Sequence, residues 1–330
     1  MKCTKIVAAL AAALSLAGYA SAAPIYSENF DVDPTASWTV NNNGAGTNAA
    51  NFFFDYSTVG IPSAPNSGGT TRGLKLGANL NSATAPASGN IPGISVSPTG
   101  QSFTGDYVLK FDWWSNYIGP LNVGATGSTM LSNYGIMTSG TTSNFPGTAD
   151  GVWFAATGDG QSSSDFRIYS PERQTSYAVA PPSVNPLDAH VTFPAGSLNQ
   201  SAALYMTTFP AGNTAPAAQL AAFPATQTGA TIAGATGFKW HDVSIRKAGA
   251  IVTWTVDGVV LGTIDTSFFT TGGSNILFGH SDTNLSTNTN VALLEALQFT
   301  LIDNVRVVPE PASLAIFMTM VLGLATWRVR

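Results

Sequence analysis

Two adjacent residues, Asp257 and Gly258, constrain this chain more than any others. They stand between the runs IVTWTV, residues 251–256, and VVLGTI, residues 259–264. An Asp-Gly pair supplies the positive φ angles of a two-residue type I′ turn, so the two runs pair as an antiparallel hairpin. Upstream, WHDVSIRK, residues 240–247, is a third strand, joined through the turn Ala248-Gly249-Ala250. The result is a three-stranded meander, which needs further strands to bury its apolar face.

Those strands are present. In residues 107–114, Tyr107, Leu109, Phe111 and Trp113 fall on one face and Lys110 and Asp112 on the other, a period of two. GVWFAAT, residues 151–157, and DFRIY, residues 165–169, read as a second hairpin across a Gly- and Ser-rich connection. Residues 25–30, 38–40, 275–280 and 297–307 complete the set, with shorter ordered pieces at 52–56 and 73–76. Residues 41–100 and 176–237 are rich in Gly, Ala, Asn, Ser, Thr and Pro and read as long loop insertions, with a helical turn near 200–205 or 216–223. Many short strands divided by Gly and Pro turns imply an all-β antiparallel sandwich or barrel.

The two ends of the chain differ from this body. Lys2 and Lys5, the apolar run 6–16 and Ala20-Ser21-Ala22 have the layout of a secretory signal peptide over residues 1–22. Its removal takes away Cys3, the single cysteine, so the mature chain holds no disulfide, cysteine nucleophile or zinc-thiolate site. At the other end, Pro309-Glu310-Pro311 precedes an uncharged apolar segment, 312–327, and the basic end Arg328 and Arg330. The prolines are expected to close the preceding strand and leave an extended, accessible joint. About 16 helical residues span roughly 24 Å, a little short of a bilayer core of roughly 30 Å.

Residues 309–330 resemble the PEP-CTERM tail, a sorting signal of bacteria that make exopolysaccharide. The resemblance covers the Pro309-Glu310-Pro311 triplet, Ala312-Ser313, the apolar helix and the basic end. It implies transient recognition by exosortase, a membrane-embedded cysteine peptidase that cuts near the triplet. It also implies export through the inner membrane, a membrane-anchored intermediate, and delivery to the cell surface, outer membrane or extracellular matrix. The remaining body, 23–308, carries W-H-D-V-x-I-x-K-x-G-x-x-V-x-W-x-V-D-G and a closing I-D-N-V-R-V. These resemble the concanavalin A-like and laminin G-like jelly rolls, and so imply a jelly-roll sandwich without any particular activity.

Only 9% of residues are charged, with a net charge of −5. No basic stripe exists to displace counterions, which argues against nucleic acid and suits a neutral partner such as extracellular polysaccharide. No E-x-D-x-x-E pattern is present: Asp159 and Asp165 flank a loop, and Asp106 and Asp112 lie at opposite ends or faces of a strand. Neither pair has glycosidase geometry. His190, His241 and His280 are scattered, and neither a G-x-S-x-G elbow nor a phosphate loop occurs. The expectation is therefore a non-enzymatic glycan- or matrix-binding body. The alternatives are a purely structural matrix protein and, further off, a glycoside-active enzyme.

Two sites follow as expectations. Carbohydrate-binding jelly rolls often hold calcium between acidic residues of their first and last strands, which here implies Glu28 and Asp303. A carboxylate on an apolar face costs several kcal/mol unless it is paired or metal-bound, and hard oxygen ligands favour calcium. Stacking on sugar C–H faces would use Trp114, which alternation places outside the core, together with Trp153, Tyr169 and Arg173.

Overall fold

A computed structural model of the chain describes residues 23–81, 91–123, 129–180, 185–283 and 290–310. Residues 1–22, expected to be a signal peptide, and those from Pro311 on, including the apolar segment 312–327, Arg328 and Arg330, lie outside the described residues. The expected meander is there: β11 (Trp240–Ala248), β12 (Ile251–Val256) and β13 (Val259–Asp265) pair antiparallel in sequence order. Asp257 and Gly258 have φ of 49° and 79°, the two positive angles that a type I′ turn requires.

Fifteen described strands form two antiparallel sheets. Preceding the meander in the chain are β1 (Tyr26–Glu28), β2 (Trp38–Asn42), β3 (Ala49–Asp55), β4 (Arg72–Gly77), β5 (Gly93–Pro98), β6 (Tyr107–Asn116), β7 (Met130–Thr138), β8 (Val152–Thr157), β9 (Phe166–Tyr169) and β10 (Val191–Thr192). After it come β14 (Asn275–Asp282) and β15 (Phe299–Pro309). The nine-stranded sheet runs β10-β13-β12-β11-β6-β15-β4-β3, with β1 also on β15. The six-stranded sheet runs β2-β5-β14-β7-β8-β9. The chain's first and last strands are therefore neighbours, with Tyr26 opposite Val307 and Glu28 opposite Val305.

Between the sheets lies the main core. Tyr107, Leu109, Phe111 and Trp113 of β6 all enter it, meeting Tyr134, Phe154, Trp254, Phe278 and Ile302. Period two is what sends this face inward. Rings there meet edge to face, as Phe111 does with Tyr134 at 5.1 Å and with Phe278 at 5.0 Å.

The insertions depart from expectation. Residues 41–100 hold three strands, among them β5, where Ile94 and Val96 face the core and Ser95 and Ser97 the other side. Strand β7 was not foreseen because Ser132, Asn133 and Gly135 interrupt its apolar pattern. Gly135 is required there, since a Cβ would collide with the Val152 carbonyl on β8. Segment 176–237 contains α1 (Ala203–Thr208) and α2 (Ala217–Ala222), so both anticipated helical turns exist. A third helix, α3 (Val291–Leu297), leads into β15.

These insertions build a second packing layer on the outer face of the nine-stranded sheet. Tyr56, Ile61, Ala64, Ala215 and Phe238 lie against Trp114, Trp240, Phe299 and Leu301 there. Residues that read as surface loop thus cover part of that sheet's outer face.

Candidate functional site

The layer decides the fate of Trp114. Only 4% exposed, it packs edge-on to Phe238 and Trp240 and donates Nε1 to Asn116 Oδ1 at 3.3 Å. Alternation does put it on the face away from the main core, but that face is covered. Trp153 and Tyr169 are also buried, their rings stacked on each other at 3.8 Å within an apolar cluster that includes Leu131 and Leu277. Arg173 pairs with the buried Asp188 at 3.3 Å and stands over Tyr177. These four residues do not form one surface, and the three rings offer no open face to a sugar.

Glu28 and Asp303 come to neighbouring strands but not to a shared donor set. A bulge between Asp303 and Arg306, with Asn304 at φ 53°, breaks the alternation that would have aligned them. Glu28 Oε1 accepts from the Phe30 amide at 2.8 Å. Asp303 lies opposite Asp112 and accepts from Tyr56 Oη at 3.0 Å and the Asn304 amide at 2.7 Å. Asp112 in turn accepts from the Asn66 amide and side chain and from Asn304 Nδ2. Burial pushes the Asp303 carboxyl up to about 7, with Asp112 adding to the rise and the Tyr56 and Asn304 bonds opposing it. Among the described residues no group of three or more His, Cys, Asp or Glu is arranged to hold a metal. The residues present fit backbone and hydroxyl capping, not a calcium site.

The histidines and loop carboxylates serve the scaffold as well. His241 bridges Asp257 Oδ2 at 2.9 Å and the Thr236 carbonyl at 2.8 Å. His190 contacts Glu172 and stacks on Phe268 at 3.8 Å. His280 is sealed between the sheets against Thr300 Oγ1, and burial lowers its imidazole to about 3. Asp165 accepts from Thr157, Ser162 and Gln200.

Of the Pro309-Glu310-Pro311 triplet, the first two residues are described. Pro309 is the last residue of β15, opposite Tyr107, so it does not end the strand before itself as expected. Glu310 is docked: its amide donates to the Asp106 carbonyl at 3.2 Å, and its Oε1 accepts from Arg246 Nε at 2.7 Å. The joint begins on the sheet and is not free at this point. Among the described residues no helix is long and apolar enough to cross a membrane.

One recess has the chemistry of a binding site, and its residues were not foreseen. It has a volume of ≈ 250 Å³ and is lined by Asn51, Phe54, Lys75, Leu80, Glu295 and Gln298, with Ala49 and Gly77. Lys75 projects from β4 on the face opposite its core neighbours Leu74 and Leu76. Its Nζ lies 4.7 Å from the ring centroids of both Phe54 and Phe299 and donates to the Glu295 carbonyl at 2.9 Å. Burial lowers the Lys75 ammonium to about 8, while the Glu295 charge opposes that shift. Gln298 Nε2 donates to the Ala78 carbonyl at 2.9 Å, leaving Oε1 buried without a partner among the described residues. The only sequence signal was Lys75 itself, a single charge between two core leucines in a chain poor in charge.

No family model matches this chain, and no curated protein matches it. Among solved structures it is similar to a Bacillus subtilis protein of unknown function with a galectin-like fold. That similarity has a TM-score of 0.40 and 9% identity, over 88% of this chain and 100% of that one. It is also similar to a Bacillus licheniformis β-glucanase, with a TM-score of 0.40 and 13% identity, over 86% and 98%. A third is an endo-β-1,4-glucuronan lyase from Trichoderma reesei, with a TM-score of 0.38 and 11% identity, over 87% and 96%. None of these similarities bears on the residues of the recess.

Proposed function

We propose that this chain is an exported, non-enzymatic component of a cell surface or exopolysaccharide matrix, and that its jelly-roll body binds glycan through the Lys75 recess. The recess carries the reading. It joins a half-buried aromatic ring, an ammonium, a carboxylate and two amides in a volume suited to one sugar unit. Such a mixture of apolar face and fixed polar groups is how small polar ligands are oriented. The carboxylates weighed for catalysis are engaged elsewhere: Asp112 by Asn66 and Asn304, Asp165 by Thr157, Ser162 and Gln200.

Delivery rests on the two ends of the chain. The signal peptide 1–22 directs export, and the PEP-CTERM tail 309–330 holds the protein in the membrane until exosortase acts. Mass spectrometry of the mature C-terminus, beside localisation of a Pro309→Ala, Glu310→Ala variant, tests this part; an intact tail in every cell fraction would remove it. For the body, the purified protein should bind at least one polysaccharide saturably on a glycan array, and Lys75→Met should lose that binding without loss of fold. A blank array would leave only a structural role in the matrix.

A further inference from the structure

The Lys75 recess presents unmet hydrogen-bonding needs of opposite kinds. Lys75 Nζ has three N–H donors, and the Glu295 carbonyl takes one. Gln298 Oε1 is an acceptor, buried and without a partner among the described residues, and its amide orientation is set because Nε2 is held by the Ala78 carbonyl. With no accessible surface, Gln298 Oε1 stays out of a ligand's reach, and the recess offers Lys75 and two further polar groups. The other two polar groups are Glu295, exposed on α3, and Asn51, whose Oδ1 caps the Phe53 amide and whose Nδ2 is left to donate.

Ligand classes can be sorted against this set. An ammonium meets Lys75. A purely apolar group satisfies neither Lys75 nor Glu295. A carboxylate is an acceptor only: it serves Lys75 but has no proton to give Glu295, whose charge it meets. A hydroxyl both donates and accepts, and adjacent hydroxyls on one ring can serve Lys75, Asn51 and Glu295 together. Phe54 and Leu80 supply apolar surface for the C–H face of that ring. At ≈ 250 Å³ the space falls below that of a drug-sized pocket and suits one pyranose.

We propose that the recess is a subsite for an uncharged hexose unit, and that Glu295 is the residue that turns uronates away. This rests on the glycan-binding reading above and adds the charge class of the ligand. The nine-stranded sheet's outer face, at its β4-β3 end, is thus the recognition surface.

Isothermal titration of the purified protein tests this, using neutral tetrasaccharides of glucose, mannose and galactose beside the matching oligouronates. The expected result is saturable binding of at least one neutral tetrasaccharide, at least tenfold tighter than its uronate. Lys75→Met should abolish it. Glu295→Gln, an exposed change that leaves packing intact, should bring the uronate to within about threefold of the neutral sugar. Tighter binding of the uronate with dependence on Lys75 would overturn the charge assignment and leave the glycan-binding reading standing. Neutral binding unaffected by either substitution would overturn the subsite. No binding of any of the six would overturn both.

Discussion

Asp242, Asp112 and Asp303 lie opposite one another across β11, β6 and β15, three carboxylates in one row. Asp112 is well supplied with amide donors, whereas burial and its neighbour's charge hold Asp303 up at about 7. A folded value raised from 3.8 means stability that is fully present below about pH 3.8 and lost as pH rises through about 7. His280 acts in the opposite sense. Its folded value of about 3 lies below 6.5, so its contribution is present above about pH 6.5 and is lost as pH falls toward 3. Between pH 4 and 7 the two offset each other, which conceals both in the wild-type profile. Asp303→Asn separates them: its melting temperature relative to wild type should climb from pH 4 to about pH 7 and then level off toward pH 8. A constant difference over that range would mean that Asp303 is ionised throughout.

At the scale of elements, legibility in the sequence follows how local the cause is. The Asp257-Gly258 hairpin and the inward face of β6 depend on backbone angle and alternation, which neighbouring residues carry, and both stand as expected. Trp114 shows the limit. Its direction could be read from alternation, but its cover comes from Ile61, Ala64, Ala215 and Phe238, in segments whose Ala, Thr and Pro content has no period. The recess was illegible for the same reason, since residues 51, 54, 75, 80, 295 and 298 meet only through the β3-β4-β15 pairing and α3. If the second layer is true packing, Trp114→Ala should cost about 3–5 kcal/mol in urea unfolding, while hexose binding at the recess stays within about twofold. A loss of binding with unchanged stability would return Trp114 to the ligand. The end of β15 gives a separate test. Arg246 holds Glu310, the middle residue of the Pro309-Glu310-Pro311 triplet, at a partly exposed site, so Arg246→Ala should change stability by less than about 1 kcal/mol. Amide exchange at Glu310 should nevertheless quicken, because its bond to the Asp106 carbonyl loses that support. Unchanged exchange would show that strand pairing alone holds the joint.

For the whole molecule the question is what closes the sandwich where its two ends meet. Strand β1 has only three residues, and it lies on β15 through Tyr26, Ser27 and Glu28. The sequence-based expectation there is a calcium bridge from Glu28 to Asp303, because a carboxylate on an apolar face is costly unless it is paired or metal-bound. The partners found instead are the Phe30 amide for one carboxylate and Tyr56 with the Asn304 amide for the other. Tyr26 packs against Phe103 at 5.7 Å, and Phe30 is fully buried beside Trp38 at 5.8 Å. Closure is thus assigned to apolar burial, and the two mechanisms separate in a melting experiment. A metal bound only by the folded state, at a hundred times its Kd, would add about 2.7 kcal/mol, worth roughly 5 °C or more in a body of this size. With burial alone, 5 mM calcium and 5 mM EDTA should give the same midpoint to within about 1 °C, and Phe30→Ala should lower it by far more than Glu28→Ala. A calcium-dependent rise of several degrees that Glu28→Ala abolishes would restore the metal and remove the apolar account of how the ends are joined.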